Sequence, residues 1–415
     1  MVSSLPVVGT PAATAIAATL AACAVAAVQL VGGPRIGRRR LLLAVALTLA
    51  AVGACVFGLT VWPKPFPDVV PWWIYAGAGT GVFVAVCAGL SWLPLRALGR
   101  PLQLWRKVVL TILVLPALIL GYLSINLEYQ QYPTIGAFRR TPVAMQMSLE
   151  EFQQRDRAPT LDGREVGALV TVPAAPMRDA YAYVPPAYWR GATLPVMVLL
   201  SGSPGSPMGW FTDGQADETA DVYQAQHGGA SPIVIGVDGT GSTTGNPACV
   251  DGPQLQMQTY LADDIPRLIK DTFRVNQDQH TWTIGGLSYG GTCSLQVVAN
   301  APEAYGTFLD FSGEPEPSIG SHDKTVNEMF GGDEGAFRSV NPASLLVKAA
   351  GTDTYEGTAG RFVSGERDRM ATKALPHLNF LARQAGMDTQ YSTLPGAHSY
   401  QVWRVALRDT FEFAA

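Results

Sequence analysis

Thr281-Trp-Thr-Ile-Gly-Gly-Leu-Ser-Tyr-Gly-Gly-Thr292 runs from an apolar strand signal directly into a G-x-S-x-G pentapeptide, Gly286-Leu-Ser-Tyr-Gly290. The apolar run Trp282 to Ile284 precedes the pentapeptide, and a helix-like segment, Ser294 to Asn300, follows it. Strand before and helix after are the context in which these five residues make a nucleophile elbow; elsewhere they are an ordinary tight turn. In an elbow the serine, here Ser288, is held in strained backbone geometry that only small neighbours accommodate, so its hydroxyl stands clear of the sheet. The helix behind it aims free N–H groups and its positive dipole end at the reacting oxygen.

Charge divides the chain in two. The 415 residues carry 29 Lys and Arg against 33 Asp and Glu, a net −4. Residues 1–128 hold nine basic side chains and only Asp68 and Glu128 as acids, a balance of +7 that leaves −11 for the rest. The expected organisation is a four-helix transmembrane region over 1–128, a linker over 129–157 and an acidic domain over 158–415.

Four apolar stretches reach the roughly 20 residues needed to cross a bilayer: Ala12 to Val31, Leu41 to Trp62, Trp72 to Leu95 and Val108 to Leu127. Arg35, Arg38, Arg39 and Arg40 lie between the first two, and Arg96, Arg100, Arg106 and Lys107 between the last two, with no acid in either loop. By the positive-inside rule both loops face the cytoplasm. The first 34 residues carry no charge, and the loop Pro63 to Pro71 carries only Lys64 and Asp68. Everything beyond Glu128 is therefore expected outside the cytoplasm, in a multi-pass protein of the cell membrane. Trp62, Trp72 and Trp73 suit an outer interfacial belt and Trp105 an inner one. The first stretch lacks the positive start of a cleaved signal peptide, so it reads as a span. No span contains Asp, Glu, Lys, Arg or His, which points to an anchor or a lateral lipid platform rather than an ion path.

Tyr129 to Arg157 is polar and broken by Pro133, Gly136 and Pro142, and reads as a linker along the membrane-side face of the domain. Strand signals follow at Val166 to Val172, Ala180 to Val184, Leu194 to Leu200 and Ile233 to Val237, with helical patterns at Leu261 to Phe273, Ser294 to Asn300 and Lys373 to Gly386. This alternation predicts an α/β domain with a mostly parallel sheet and helices on both faces, the first two strands forming an antiparallel hairpin edge.

A serine nucleophile needs a base and a group that orients the base. Of five histidines, His227 and His280 precede Ser288, whereas an elbow of this type takes its partners in the order Ser, acid, His. His398 follows a strand, Gln390 to Leu394, in a Pro-Gly turn before a helix, a suitable seat for the base; His377 falls within a helical pattern. The acid is sought after the strand that ends at Gly365: Asp368 is the first choice and Glu366 the alternate. Such an acid keeps the imidazole in one tautomer and stabilises the imidazolium formed as the serine loses its proton. For the oxyanion, the Tyr289 N–H is one expected donor. Ser203, in the loop Ser201 to Trp210, is the other, since Pro204 has no N–H.

Of five cysteines, Cys23, Cys55 and Cys87 lie in the spans as small apolar residues. Cys249 follows the Ile233 strand and Cys293 lies just behind the elbow, so two strand tops in an oxidising compartment predict a disulfide between them. No His or Cys cluster has metal spacing, no phosphate loop is present, and no basic patch suggests nucleic acid; neither a metal nor a cofactor is expected.

Gly285-Gly-Leu-Ser-Tyr-Gly-Gly-Thr-Cys293, Asn246-Pro-Ala-Cys-Val-Asp-Gly252, Thr259-Tyr-Leu-Ala-Asp-Asp-Ile-Pro266 and Gly396-Ala-His-Ser-Tyr400 together resemble the esterase family that includes esterase D and the mycobacterial mycolyltransferases. More narrowly, they are similar to its actinobacterial branch with an N-terminal membrane region. The likeness covers about Val166 to Leu407. It implies an α/β-hydrolase fold with a triad of Ser288, Asp368 or Glu366, and His398. The sequence departs from the family at the oxyanion loop, Ser201-Gly-Ser-Pro-Gly205, which lacks the His-Gly or Asp-Gly often found there. The expected activity is hydrolysis of carboxylic esters through an acyl-enzyme, with envelope or membrane lipids such as an acylated sugar or an aminoacyl-phospholipid as substrates. Transfer of the acyl group to a sugar or lipid hydroxyl, and binding of lipid or envelope polymer without turnover, are the alternatives.

Overall fold

The computed structural model describes residues 4–32, 38–62, 70–94, 101–139 and 141–415, and the chain divides between Arg140 and Thr141 into two compact units. In the first unit, α1 (Thr10–Val31), α2 (Arg38–Thr60), α3 (Trp72–Trp92) and α4 (Leu104–Tyr129) are each long and apolar enough to cross a membrane. Small residues let α3 and α4 approach closely. A Cβ at Gly81 would sit 2.9 Å from the Ala117 carbonyl oxygen, and one at Gly121 would sit 3.3 Å from that of Gly77. Pro116 lies inside α4 without ending it. Trp62, Trp72, Trp73 and Trp105 are exposed at helix ends. Arg35, Lys64, Asp68, Arg96 and Arg100, on which part of the orientation argument rests, lie outside the described residues.

The second unit is built on a nine-stranded sheet. In chain order its strands are β1 (Ala144–Ser148), β2 (Gly167–Val172), β3 (Ala180–Val184), β4 (Val196–Leu200), β5 (Ile233–Val237), β6 (Thr283–Leu287), β7 (Thr307–Phe311), β8 (Ala359–Gly365) and β9 (Asp388–Leu394). Their spatial order is β1-β2-β3-β5-β4-β6-β7-β8-β9. Only the pairings of β3, with β2 and with β5, are antiparallel. The central strands are buried on both faces, and their alternation separates two cores. Val196, Val198 and Leu200 of β4 face one, packed under helices that include α7 (Tyr289–Asn300) and α8 (Ala371–Gln384). Met197 and Leu199 face the other, under α5 (Ala216–Gln226) and α9 (Tyr400–Ala414). Each such side chain contributes about 1.5–3 kcal/mol by leaving water.

The segment 141–157 is not a linker: Ala144–Ser148 forms the edge strand, parallel to β2, so the β2–β3 hairpin lies one strand in from the edge. A short helix, Leu149–Gln153, then starts on a capping box between Ser148 and Glu151. It inserts Phe152, 4% exposed, among the rings of Tyr188, Trp189 and Phe273. The expected helix Leu261 to Phe273 is present: the chain is helical from Met257 to Thr272, a π-helical stretch, Tyr260–Asp264, running into α6 (Ile265–Thr272).

Candidate active site

The carboxyl ends of the parallel strands line up along one edge of the sheet. Leu200 is level with Val237 and Gly286, Leu287 with Phe311, Phe311 with Val363, and Gly365 with Leu394. The segments directly after these strands carry Ser203, Ser288, Glu366, Asp368 and His398, as is usual for ligand sites in α/β sheets.

Ser288 follows β6 with φ 55° and ψ −122°, a conformation unfavourable for a side chain with a Cβ. The surroundings leave no alternative. A Cβ at Gly286 would sit 2.3 Å from the Gly290 carbonyl carbon, and one at Gly290 would sit 2.2 Å from the Leu200 oxygen. Glycine at both positions therefore lets β6 and α7 meet in one turn. The Ser288 N–H donates to the Phe311 carbonyl at 2.8 Å, which holds the elbow to β7.

His398 Nε2 lies 2.9 Å from Ser288 Oγ, and its Nδ1 lies 2.7 Å from Asp368 Oδ2. The ring also packs edge-on against Trp403, 5.0 Å between centroids at 90°. Of the two acids singled out from the sequence, only Asp368 makes this contact. The Glu366 N–H still follows the ladder to the Leu394 carbonyl, and its side chain is exposed. The turn closed by the Asp368 N–H on the Gly365 carbonyl, at 3.0 Å, brings Asp368 back over the sheet, where it is 5% exposed. Burial opposes the Asp368 charge, but the hydrogen bonds from His398 and the Ala371 N–H outweigh it and hold the carboxyl below its ordinary pKa.

Tyr289 opens α7, so its N–H has no intrahelical acceptor. Across from it, a Cβ at Gly202 would lie 3.3 Å from Ser288 Cβ, which puts the Ser201–Ser206 loop directly beside the serine. The Ser203 hydroxyl is occupied, donating to the Gly245 carbonyl at 2.8 Å. Behind the elbow, Cys249 and Cys293 are disulfide-bonded. The buried Tyr289 hydroxyl accepts from the Cys249 N–H and donates to the Gly239 carbonyl at 2.8 Å.

The remaining histidines lie elsewhere. His227 stacks on Tyr223 at the end of α5, His280 and His377 are exposed, and His322 sits in the helical segment after β7. Among the described residues no group of three His, Cys, Asp or Glu is placed to hold a metal.

Sequence reasoning passed over Asp310, Arg178 and Asp238. Asp310 is fully buried near the C-terminal end of β7, and its Oδ1 accepts from the Gly313 N–H at 2.8 Å. Burial pushes its pKa up to about 7, despite that bond, and the charge of Asp368 adds to the shift. An acid interrupting the apolar run Phe308 to Phe311 was the available signal. For Arg178 and Asp238, 60 residues apart, there was none.

Comparison with known proteins agrees with this architecture. The chain is 52% identical over 377 residues to an uncharacterised protein of Corynebacterium glutamicum, covering 88% of this chain and 86% of the relative. An S-formylglutathione hydrolase from Agrobacterium tumefaciens superposes with a TM-score of 0.50 at 19% identity, covering 60% of this chain and 94% of that one. MPT51 of Mycobacterium tuberculosis is similar at a TM-score of 0.42 and 17% identity, covering 60% of this chain and 97% of that one. The model of a family described as "Putative esterase" matches residues 177–414, and with the α/β-hydrolase architecture in place the chain belongs to that esterase family.

Proposed function

We propose that the protein is a membrane-anchored serine esterase whose nucleophile is Ser288. The observation that carries this reading is the hydrogen-bonded series from Ser288 Oγ through both nitrogens of His398 to Asp368. His398 takes the Ser288 proton as Oγ attacks the ester carbonyl, and Asp368 stabilises the imidazolium. The Tyr289 and Ser203 N–H groups receive the oxyanion of the tetrahedral intermediate. Collapse expels the alcohol, which takes the proton from His398, and leaves an acyl group on Ser288. Water, deprotonated by His398, then releases the acid.

The arginine-bearing loops between the spans support a catalytic domain on the outer side of the membrane. Four apolar helices keep that domain at the membrane surface, which raises its effective concentration toward esters of membrane or envelope lipids. The test is fluorophosphonate labelling of the membrane-embedded protein, wild type beside Ser288→Ala and His398→Ala, followed by lipid profiling of cells lacking it. Labelling confined to wild type supports the nucleophile, and an accumulating lipid identifies the substrate. A folded wild type that does not label would instead favour binding without turnover.

A further inference from the structure

We infer that Arg178 is a positioning residue for the oxyanion loop, clamping the backbone of Gly205 to the end of β5 so that the Ser203 N–H faces Ser288. The inference rests on the esterase reading above. Arg178 lies just before β3, at the end of a loop that carries no other candidate group. Its guanidinium engages three different partners. Nη1 donates to the Gly205 carbonyl at 2.9 Å, Nε donates to Asp238 Oδ2 at 2.9 Å, and Nη2 donates to both Asp238 Oδ1 and Thr240 Oγ1 at 2.6 Å. The Arg178 backbone N–H adds a further bond to Asp238 Oδ2 at 3.2 Å.

The anchor is rigid. Asp238 follows β5 directly, is fully buried, and also accepts from the N–H groups of Thr240 and Gly241, each at 3.0 Å. Burial works against its charge, but Arg178 and the Thr240 N–H hold its pKa below the ordinary carboxylate value, so the clamp is ionic at neutral pH.

The clamped loop, by contrast, has no ladder to hold it. Between Leu200 and Gly209 the chain forms neither strand nor helix. Around Gly205 two further bonds, the Ser203 hydroxyl on Gly245 and the Gly205 N–H on the Thr243 carbonyl, both lead to the same 238–246 segment that Arg178 and Asp238 organise, while Ser206 and Met208 are tied to the turn that follows them. A planar fork that satisfies a carboxylate with one edge and a carbonyl with another is a property of guanidinium that an ammonium lacks. Asp238 alone would be neutralised equally well by lysine. The third bond, to the loop backbone, is what requires arginine.

The experiment is steady-state hydrolysis of p-nitrophenyl acetate by the full-length protein in detergent, comparing wild type, Arg178→Lys and Arg178→Ala, with the melting temperature of each measured alongside. Partial misplacement of one oxyanion donor is expected to lower kcat about 10- to 100-fold, less than the roughly 10²- to 10³-fold of losing such a donor outright, at nearly unchanged KM. Added guanidinium ion should restore part of the kcat of Arg178→Ala, and methylammonium should not. A purely structural role would lower the melting temperature without this kcat and KM split and without rescue. Should neither Arg178 variant fold, Thr240→Val, which removes one contact of Nη2, carries the test through the same split. An active wild type with unchanged kcat in the folded variant overturns the inference and leaves the esterase reading standing. An inactive, unlabelled wild type overturns both.

Discussion

The Nδ1 of His398 sits 2.7 Å from Asp368 Oδ2, while Glu366, two residues earlier, points into solvent. Replacing Asp368 with asparagine preserves the shape but offers Nδ1 the wrong partner, so the imidazole loses its correct tautomer. Asp368→Asn is expected to reduce kcat about 10³- to 10⁴-fold. Glu366→Gln should leave turnover of the same ester unchanged, and equal losses in the two variants would contradict the geometry.

The bond between Cys249 and Cys293 closes a loop across a sequence separation of 44 residues. Restricting an unfolded loop of that length contributes about 4 kcal/mol in the chain-entropy account. The bond also holds the first turn of α7 against the segment that receives the Tyr289 hydroxyl. Cys249→Ser/Cys293→Ser should therefore melt well below wild type and label more slowly with fluorophosphonate. Intact mass of the unreduced protein should show three free thiols, from Cys23, Cys55 and Cys87.

Asp310 titrates near 7 in the folded protein, mainly because burial disfavours its charge, against about 3.9 in an unfolded chain. Between those values the folded state binds the additional proton. Its contribution is thus fully present below the unfolded value and is lost as pH rises through about 7. Asp310→Asn removes the ionisation, so its thermal midpoint should gain on wild type between pH 4 and pH 8, measured in the same detergent. A constant difference across that range would show that Asp310 does not titrate there.

His322 bonds carboxylates through both ring nitrogens, Glu316 at 3.0 Å and Glu334 at 3.1 Å. A neutral imidazole donates from only one nitrogen, so this arrangement belongs to the cation, and the Glu316 and Glu334 contacts raise its pKa. The stabilisation is complete below the ordinary histidine value, about 6.5, and is lost as pH rises through the raised one. Hydrogen exchange over residues 316–341, corrected for its intrinsic rate, should accelerate at alkaline pH in wild type. In His322→Gln it should be fast throughout.

What the sequence determined by itself was local chemistry. Hydropathy marks the four long helices because a helix satisfies its own backbone hydrogen bonds, so one long enough to cross a membrane is recognised by its apolar side chains alone. The elbow is equally local: Gly286 and Gly290 lie within two residues of Ser288, and strand and helix signals flank them, so a single window holds the information. Ala180–Val184, Ile233–Val237 and Gly365 as a strand end are legible for the same reason. Edge strand β1 is not, because Ala144-Met-Gln-Met-Ser148 is half exposed and carries no clean alternation. Its membership in the sheet comes from pairing with residues 167–171, some twenty positions away. The choice between Asp368 and Glu366 turned on which way a tight turn points its side chains, and neither composition nor order encodes that. The partnership of Arg178 with Asp238 and Gly205, and the burial of Asp310 beneath the elbow, exist only once nine strands have come together. Charge pairing and desolvation depend on distances in space, and tertiary packing alone sets those distances.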